Sequence, residues 1–325
     1  MATASIIEVG APDSAVPATL DKFRALFNTL DKGNLKSLSG VYSEDVRFQD
    51  PLGTVEGLDQ LTHYFAGAYA NVLSCRFDFG EAVTRTLARG GHRLILTGRR
   101  PEPLEALRTL APDRIASAPA DTTSRDSLAA IAGSLEQFGT LNMAILNAGT
   151  CEYLDIADYR SDVVEANIHT NVIGTARCLE LALPALRRAR ASGQPATLVI
   201  VSSSAWWFPF GRAEGYGASK AALTYFAHAL RADLAAEGID VVVVSPGFVK
   251  TPLTDRNDFP MPFRVSAEDA AERIVSGLAK GRCEIAFPKR FTWTLRLLGA
   301  LPQALIDRMA ASMARQGNRQ QDHSK

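Results

Sequence analysis

Tyr216 and Lys220 stand four residues apart in the stretch YGASK, inside a pattern that predicts a helix, so both side chains lie on one face one turn apart. A phenol of pKa about 10 is a poor proton-transfer group at neutral pH, whereas an ammonium close by favours its phenolate and lowers that value. Thirteen residues upstream of the tyrosine, the run VSSSAWW ends an apolar strand and offers Ser203 as a hydroxyl donor to a substrate oxygen. Its neighbours Ser202 and Ser204 compete for that role. Strand ends that face a crevice are where open α/β sheets bind ligands. The combination suits acid–base chemistry at a substrate oxygen.

The elements needed to position these groups are legible downstream of Glu81. Short β-branched runs (RLILTG, RIASAPAD, LNMAILNAG, TLVIVSSS, IDVVVVSPG and CEIAFP) alternate with helical patterns, which predicts a parallel sheet covered on both faces. In VSAEDAAERIVSGLAKGR, Ser266 and Asp269 have the spacing of a capping box and Gly281 stands at the stop. At 325 residues and 46% hydrophobic content the chain can bury a large core. Its 35 basic and 35 acidic residues give no reason to expect a nucleic-acid partner. The four cysteines lie far apart and histidines 63, 92, 169, 228 and 323 are scattered, so neither a metal site nor a disulfide framework is expected. Reduced thiols and an N-terminus without a signal-peptide pattern point to the cytoplasm.

The stretch SSSAWWFPFGRAEGYGASKAAL, NAG at 147–149, the asparagine of HTNVIGTA and SPGFVKTPL together resemble the short-chain dehydrogenase/reductase family, from about residue 80 to 310. The resemblance implies a Rossmann-like, doubly wound α/β fold and an oxidoreductase that interconverts a carbonyl and an alcohol. It makes Tyr216 the general acid/base, Ser203 the holder of the substrate oxygen, Lys220 the group that lowers the tyrosine pKa and bonds the nicotinamide ribose, and Asn171 the holder of a relay water. Asn167, one turn earlier, is the rival to Asn171. Pro246 and Gly247 would face the nicotinamide, with Thr251 bonding its carboxamide or serving as a plain helix cap. Asp121 would contact adenine, and Asn147 and Gly149 would line the cofactor; a purely structural role is the alternative for all three.

After RLILT an enzyme preferring NAD normally carries an acidic residue for the ribose 2′-hydroxyl. This chain has Gly98-Arg99-Arg100, and planar cations suit a phosphate. NADP(H) is therefore the preferred cofactor, with NAD(H) as the alternative and a solvated arginine pair as the rival reading. Trp206-Trp207-Phe208-Pro209-Phe210 would line an apolar pocket for a small-molecule carbonyl or alcohol substrate, or pack in a core or subunit contact. A homo-oligomer is expected. The C-terminal FPKRFTWTLRLLGALPQALIDRMAASMAR is amphipathic and basic; a packing helix or substrate lid is favoured over a peripheral membrane contact.

Residues 1–79 resemble the opening half of the SnoaL-like, NTF2-like family through FNTLDKGNLKSLSGVYSEDVRFQDPLGTVEGLDQLTHYF, implying a small α+β fragment of that fold. Asp50 matches that family's isomerase base, but Leu26 stands where the oxyanion tyrosine belongs and the later strands are absent, so an isomerase is not expected. Residues 80–325 would form the reductase domain without its usual first strand and TGxxxGxG turn. Ungapped alignment puts Ser74, Asp78 and Gly80 at the glycine positions. Residues 72–79, VLSCRFDF, are expected to pair as a substitute first strand. The rival functions are a fusion product with impaired cofactor binding and a small-ligand binding module.

Overall fold

The valine-rich runs form strands and the amphipathic stretches between them form covering helices. The computed structural model describes residues 38–39, 42–50, 53–61, 78–251, 254 and 261–317. By its contacts the chain divides into two units, Met1–Ser74 and Cys75–Lys325. In the first unit, β1 (Arg47–Asp50) and β2 (Gly53–Glu56) form an antiparallel pair, with Arg47 opposite Glu56. A helical turn follows from Leu58, so this stretch has the strand and helix character of the expected α+β fragment, but β2 was not foreseen. GTVE is short and carries little alternation, and its strand state comes from pairing with β1.

The second unit continues through α1 (Asp78–Arg89), β3 (Leu94–Leu96), α2 (Pro101–Arg108), β4 (Ile115–Ser117), α3 (Arg125–Ala130), α4 (Ala132–Phe138), β5 (Met143–Leu146) and α5 (Ser161–Ile168). A π-helical turn, His169–Ile173, leads into α6 (Gly174–Ala191), then β6 (Thr197–Val201), α7 (Glu214–Leu234), β7 (Asp240–Pro246), α8 (Ala267–Ala279), β8 (Glu284–Phe287), α9 (Lys289–Gly299) and α10 (Gln303–Gly317). Strands β5, β6, β7 and β8 pair in that order, all parallel, and β3 pairs in parallel with β4. Leu198, Val199 and Ile200 of β6 and Val243 and Val244 of β7 are fully buried, as parallel strands covered on both faces require. One face packs against Ala185, Leu186 and Ala189 of α6 and Leu223 and Ala227 of α7. The other packs against Ala82 and Val83 of α1 and Ala270, Ala271 and Ile274 of α8. Helix α8 begins as its sequence indicates, with the Ser266 hydroxyl accepting from the Asp269 N–H.

The slot for the family's first strand would lie between β3 and β5. Among the described residues no strand occupies it. Residues 72–77, most of the expected substitute strand, lie outside the described residues, and the remainder is corrected: Asp78 and Phe79 open α1. The first turns of α1 carry a bond from Thr84 Oγ1 to Gly80 O at 2.9 Å and the Arg85–Glu81 ion pair at 2.7 Å. Leu94, Ile95 and Leu96 of β3 and Met143, Ile145 and Leu146 of β5 are all only half-buried.

Candidate active site

Helix α7 carries Tyr216 and Lys220 past the C-terminal end of β6, and the sheet fixes the lysine. Its ammonium, on a side chain 3% exposed, donates to Val201 O at 3.0 Å and lies 5.7 Å from the Tyr216 ring centroid. The lysine carbonyl accepts from both Ser202 Oγ and Thr224 Oγ1 at 2.9 Å, and these two hydroxyls lie 2.7 Å apart. Ser202 is thus engaged with the helix. Ser203 faces the other way: its Oγ accepts from Ala205 N at 3.2 Å and hydrogen-bonds the Tyr216 phenol. Burial pushes the Tyr216 phenol well above its ordinary range, with Cys151 adding to the rise and the Ser203 bond opposing it. Burial also lowers Lys220 to about 8, against a smaller opposing effect of Cys151. Cys151 is the residue that sequence reasoning passed over. Nothing in its isolated thiol reveals that the chain brings it beside the tyrosine and lysine.

Asn171 lies in the π-helical turn and is fully buried. Its Nδ2 donates to Thr150 O at 2.9 Å and to Ser219 Oγ at 2.8 Å, and its Oδ1 accepts from Thr150 N at 2.6 Å. Ser219 in turn donates to Tyr216 O at 2.7 Å, so Asn171 is tied to the tyrosine turn through one hydroxyl. Asn167 is occupied elsewhere, bridging Glu152 and Val163 backbone groups. Gly149 sits against this cluster. A Cβ there would stand 2.9 Å from Asn171 Oδ1 and 3.4 Å from Lys220 Nζ, so the position admits no side chain without a shift.

The other expected cofactor residues follow the C-terminal ends of strands: Arg99 and Arg100 after β3, Asp121 after β4, Asn147 after β5, and Gly247 and Thr251 after β7. A Cβ at Gly80 in α1 would stand 2.9 Å from Asn147 Nδ2, so this glycine permits close helix–strand packing; Asn147 Oδ1 is buried without a partner among the described residues. Asp121 Oδ1 accepts from Thr123 N at 2.8 Å and Thr123 Oγ1 at 2.7 Å. Burial raises the Asp121 carboxyl, but these bonds and the fields of Arg99 and His169 outweigh it and hold it below the ordinary range. Arg99 and Arg100 are exposed. Gly247, after Pro246 of β7, has Phe291 Cδ1 2.8 Å from where a Cβ would be, so the ring packs against the turn where a side chain would stand. Thr251 is buried, and its Oγ1 accepts from Thr254 N at 3.4 Å, the arrangement of a cap. Phe208 is buried with Phe291, Leu295 and Ile306 of the C-terminal helices, so that part of the aromatic run packs a core.

A family model described as short chain dehydrogenase matches residues 70–259, more than half of the chain. This chain belongs to the short-chain dehydrogenase/reductase family. A SnoaL-like domain model matches residues 23–102. The two matches overlap at α1 and β3, which the fold assigns to the reductase unit. An uncharacterized oxidoreductase of Myxococcus xanthus is 35% identical over 239 residues, covering 71% of this chain and 91% of that protein. A sulfoacetaldehyde reductase of Chromohalobacter salexigens is 34% identical over 185 residues, covering 54% of this chain and 70% of that one. Among solved structures, serine dehydrogenase from Escherichia coli superposes with a TM-score of 0.56 at 25% identity over 64% of this chain and 92% of its own. A 3-ketoacyl-(acyl-carrier-protein) reductase from Brucella melitensis, complexed with NADH, shares the fold at 22% identity and a TM-score of 0.59, over 64% of this chain and 91% of its own. Membership makes the protein an oxidoreductase of this family.

Proposed function

We propose that the protein is an NADP(H)-dependent reductase of a small carbonyl compound, with Tyr216, Ser203, Lys220 and Asn171 as its working set. The carrying observation is the buried Lys220 ammonium behind a Tyr216 phenol that is hydrogen-bonded to Ser203. NADPH, when bound, supplies the hydride to the carbonyl carbon. Tyr216, held protonated by its burial, donates its proton to the developing alkoxide, and Ser203 holds that oxygen. Lys220 stabilises the phenolate left behind. Asn171 Oδ1 accepts the Thr150 N–H and keeps its second lone pair for a relay water, while its N–H groups are committed to Thr150 and Ser219.

The residues present fit the nicotinamide half of the cofactor: Lys220 beside Gly149, the Pro246-Gly247 turn, and Thr251. Arg99 and Arg100 suit a 2′-phosphate, and Asp121, Asn147 and Gly149 suit the adenosine side. We assign residues 1–79 to a truncated SnoaL-like segment and residues 80–325 to the reductase domain, and place the protein in the cytoplasm as a homo-oligomer.

A second reading has its own observation in the sequence: Ser74 and Asp78 stand at two of the three glycine positions of the family's phosphate-binding turn, and a protein with impaired cofactor binding would follow. NADPH titration by fluorescence, followed by turnover of a panel of ketones and aldehydes, separates the two. Saturable binding with reduction that falls by about a thousandfold in a folded Tyr216→Phe variant is expected. Undiminished turnover in that variant removes the mechanism, and wild-type protein that does not bind NADPH favours the second reading.

A further inference from the structure

Helix α9 has two apolar faces with different fates. Phe291 and Leu295 are buried against Phe208 and Ile306, as a packing helix requires. On the opposite side, Trp293 is 64% and Leu297 69% exposed, one turn apart on a single stripe. Arg290 is exposed at the preceding turn, and Lys289 beside it. The Arg296 guanidinium lies 4.4 Å from the Trp207 ring and 5.8 Å from the Trp293 ring, which braces the exposed indole. Leaving a tryptophan and a leucine in water wastes apolar area that a partner would cover.

Charge selects the partner. From Lys289 to Ser312 the chain holds four cations, Lys289, Arg290, Arg296 and Arg308, and one acid, Asp307, while the whole chain balances 35 against 35. Helix α9 itself contains no acidic residue. A two-fold contact between copies would set these cations against their equivalents with no carboxylate on α9 to answer them. A surface that is both apolar beneath and negative above answers both features. Indole rings settle at headgroup depth, and neighbouring lysines and arginines are drawn to anionic lipid.

We propose that the exposed face of α9, centred on Trp293 and Leu297 and flanked by Lys289 and Arg290, docks the protein on an anionic lipid bilayer. The contact is peripheral, with the helix lying in the interface plane. Among the described residues no helix is long and apolar enough to cross a membrane. The proposal does not depend on turnover.

The test is flotation of the full chain with vesicles of phosphatidylcholine alone and of phosphatidylcholine with phosphatidylglycerol, alongside tryptophan emission. Flotation with the anionic vesicles only, weakened by salt and accompanied by a blue shift, is expected. The shift should vanish in Trp293→Phe, since Trp293 is the exposed indole. Trp293→Ala with Leu297→Ala should weaken binding about tenfold or more. Lys289→Glu with Arg290→Glu, at exposed positions that leave the core intact, should weaken it by at least about fivefold for each cation removed. Three results would each overturn the proposal: no flotation, binding indifferent to lipid charge and to both variants, or self-association of the chain that is lost in the Trp293 and Leu297 variant without any vesicle binding.

Discussion

Replacing Lys220 with methionine tests the site through its burial, without reference to any substrate. The ammonium is 3% exposed and its pKa falls from 10.5 to about 8, chiefly because burial disfavours the charge. A drop of roughly 2.5 units corresponds to about 3 kcal/mol of stability withheld from the native state at neutral pH. Since the folded pKa is the lower one, the unfolded chain binds more protons between about pH 8 and 10.5. Stability of the wild type therefore rises with pH across that window, and below it the full cost remains without further dependence on pH from this group. Methionine removes the charging cost, but leaves Val201 O without its donor, a loss of about 1–3 kcal/mol at any pH. Near pH 7 the two effects offset, and Lys220→Met should match or slightly exceed the wild type. At pH 10.5 only the lost hydrogen bond remains, and the variant should be weaker. The difference between the two proteins should thus change by about 3 kcal/mol between pH 7 and 10.5, with other titrating groups cancelling. Urea unfolding of both proteins across that range measures it. Parallel pH profiles would refute the buried-ammonium account and the proton-transfer role built on it.

Two further substitutions address the cofactor edge. Arg99→Asp should weaken NADP(H) by roughly tenfold or more while weakening NAD(H) less, because it replaces a phosphate-binding cation with an acid suited to a 2′-hydroxyl; equal losses in fluorescence titrations would show that Arg99 does not read the phosphate. Gly149→Ala sets a Cβ 2.9 Å from Asn171 Oδ1 and should cost about 1–3 kcal/mol in urea unfolding by displacing the amide from Thr150, with a parallel fall in kcat; unchanged stability and turnover would mean that the asparagine shifts freely.

The parts of this site that were legible are those with local spacing. Tyr216 and Lys220 share a face because helical geometry is set within one turn. The two middle strands of the four-stranded sheet, β6 and β7, were visible as valine-bearing apolar runs, since burial on both faces removes alternation. The strand β2 was missed because its state depends on a partner strand. Three consecutive serines look alike in sequence, and only the position of Thr224 on α7 distinguishes Ser202, which braces the helix, from Ser203, which meets the phenol. The π-helical turn that sets Asn171 beside Thr150 and Ser219 leaves no periodic trace. Asn147 meets Gly80 only because α1 crosses that strand end.

Sequence by itself determined the family, the α/β layering, the tyrosine–lysine pair and the two-faced character of the C-terminal helix, because each is encoded in residue type at short spacing along a periodic backbone. Tertiary structure decided which hydroxyl and which amide join the site, that Lys220 is buried enough to titrate near pH 8, and which face of α9 is left in water. Those outcomes depend on desolvation and on contacts between segments far apart in the chain. Neither has a value until the core has closed around them.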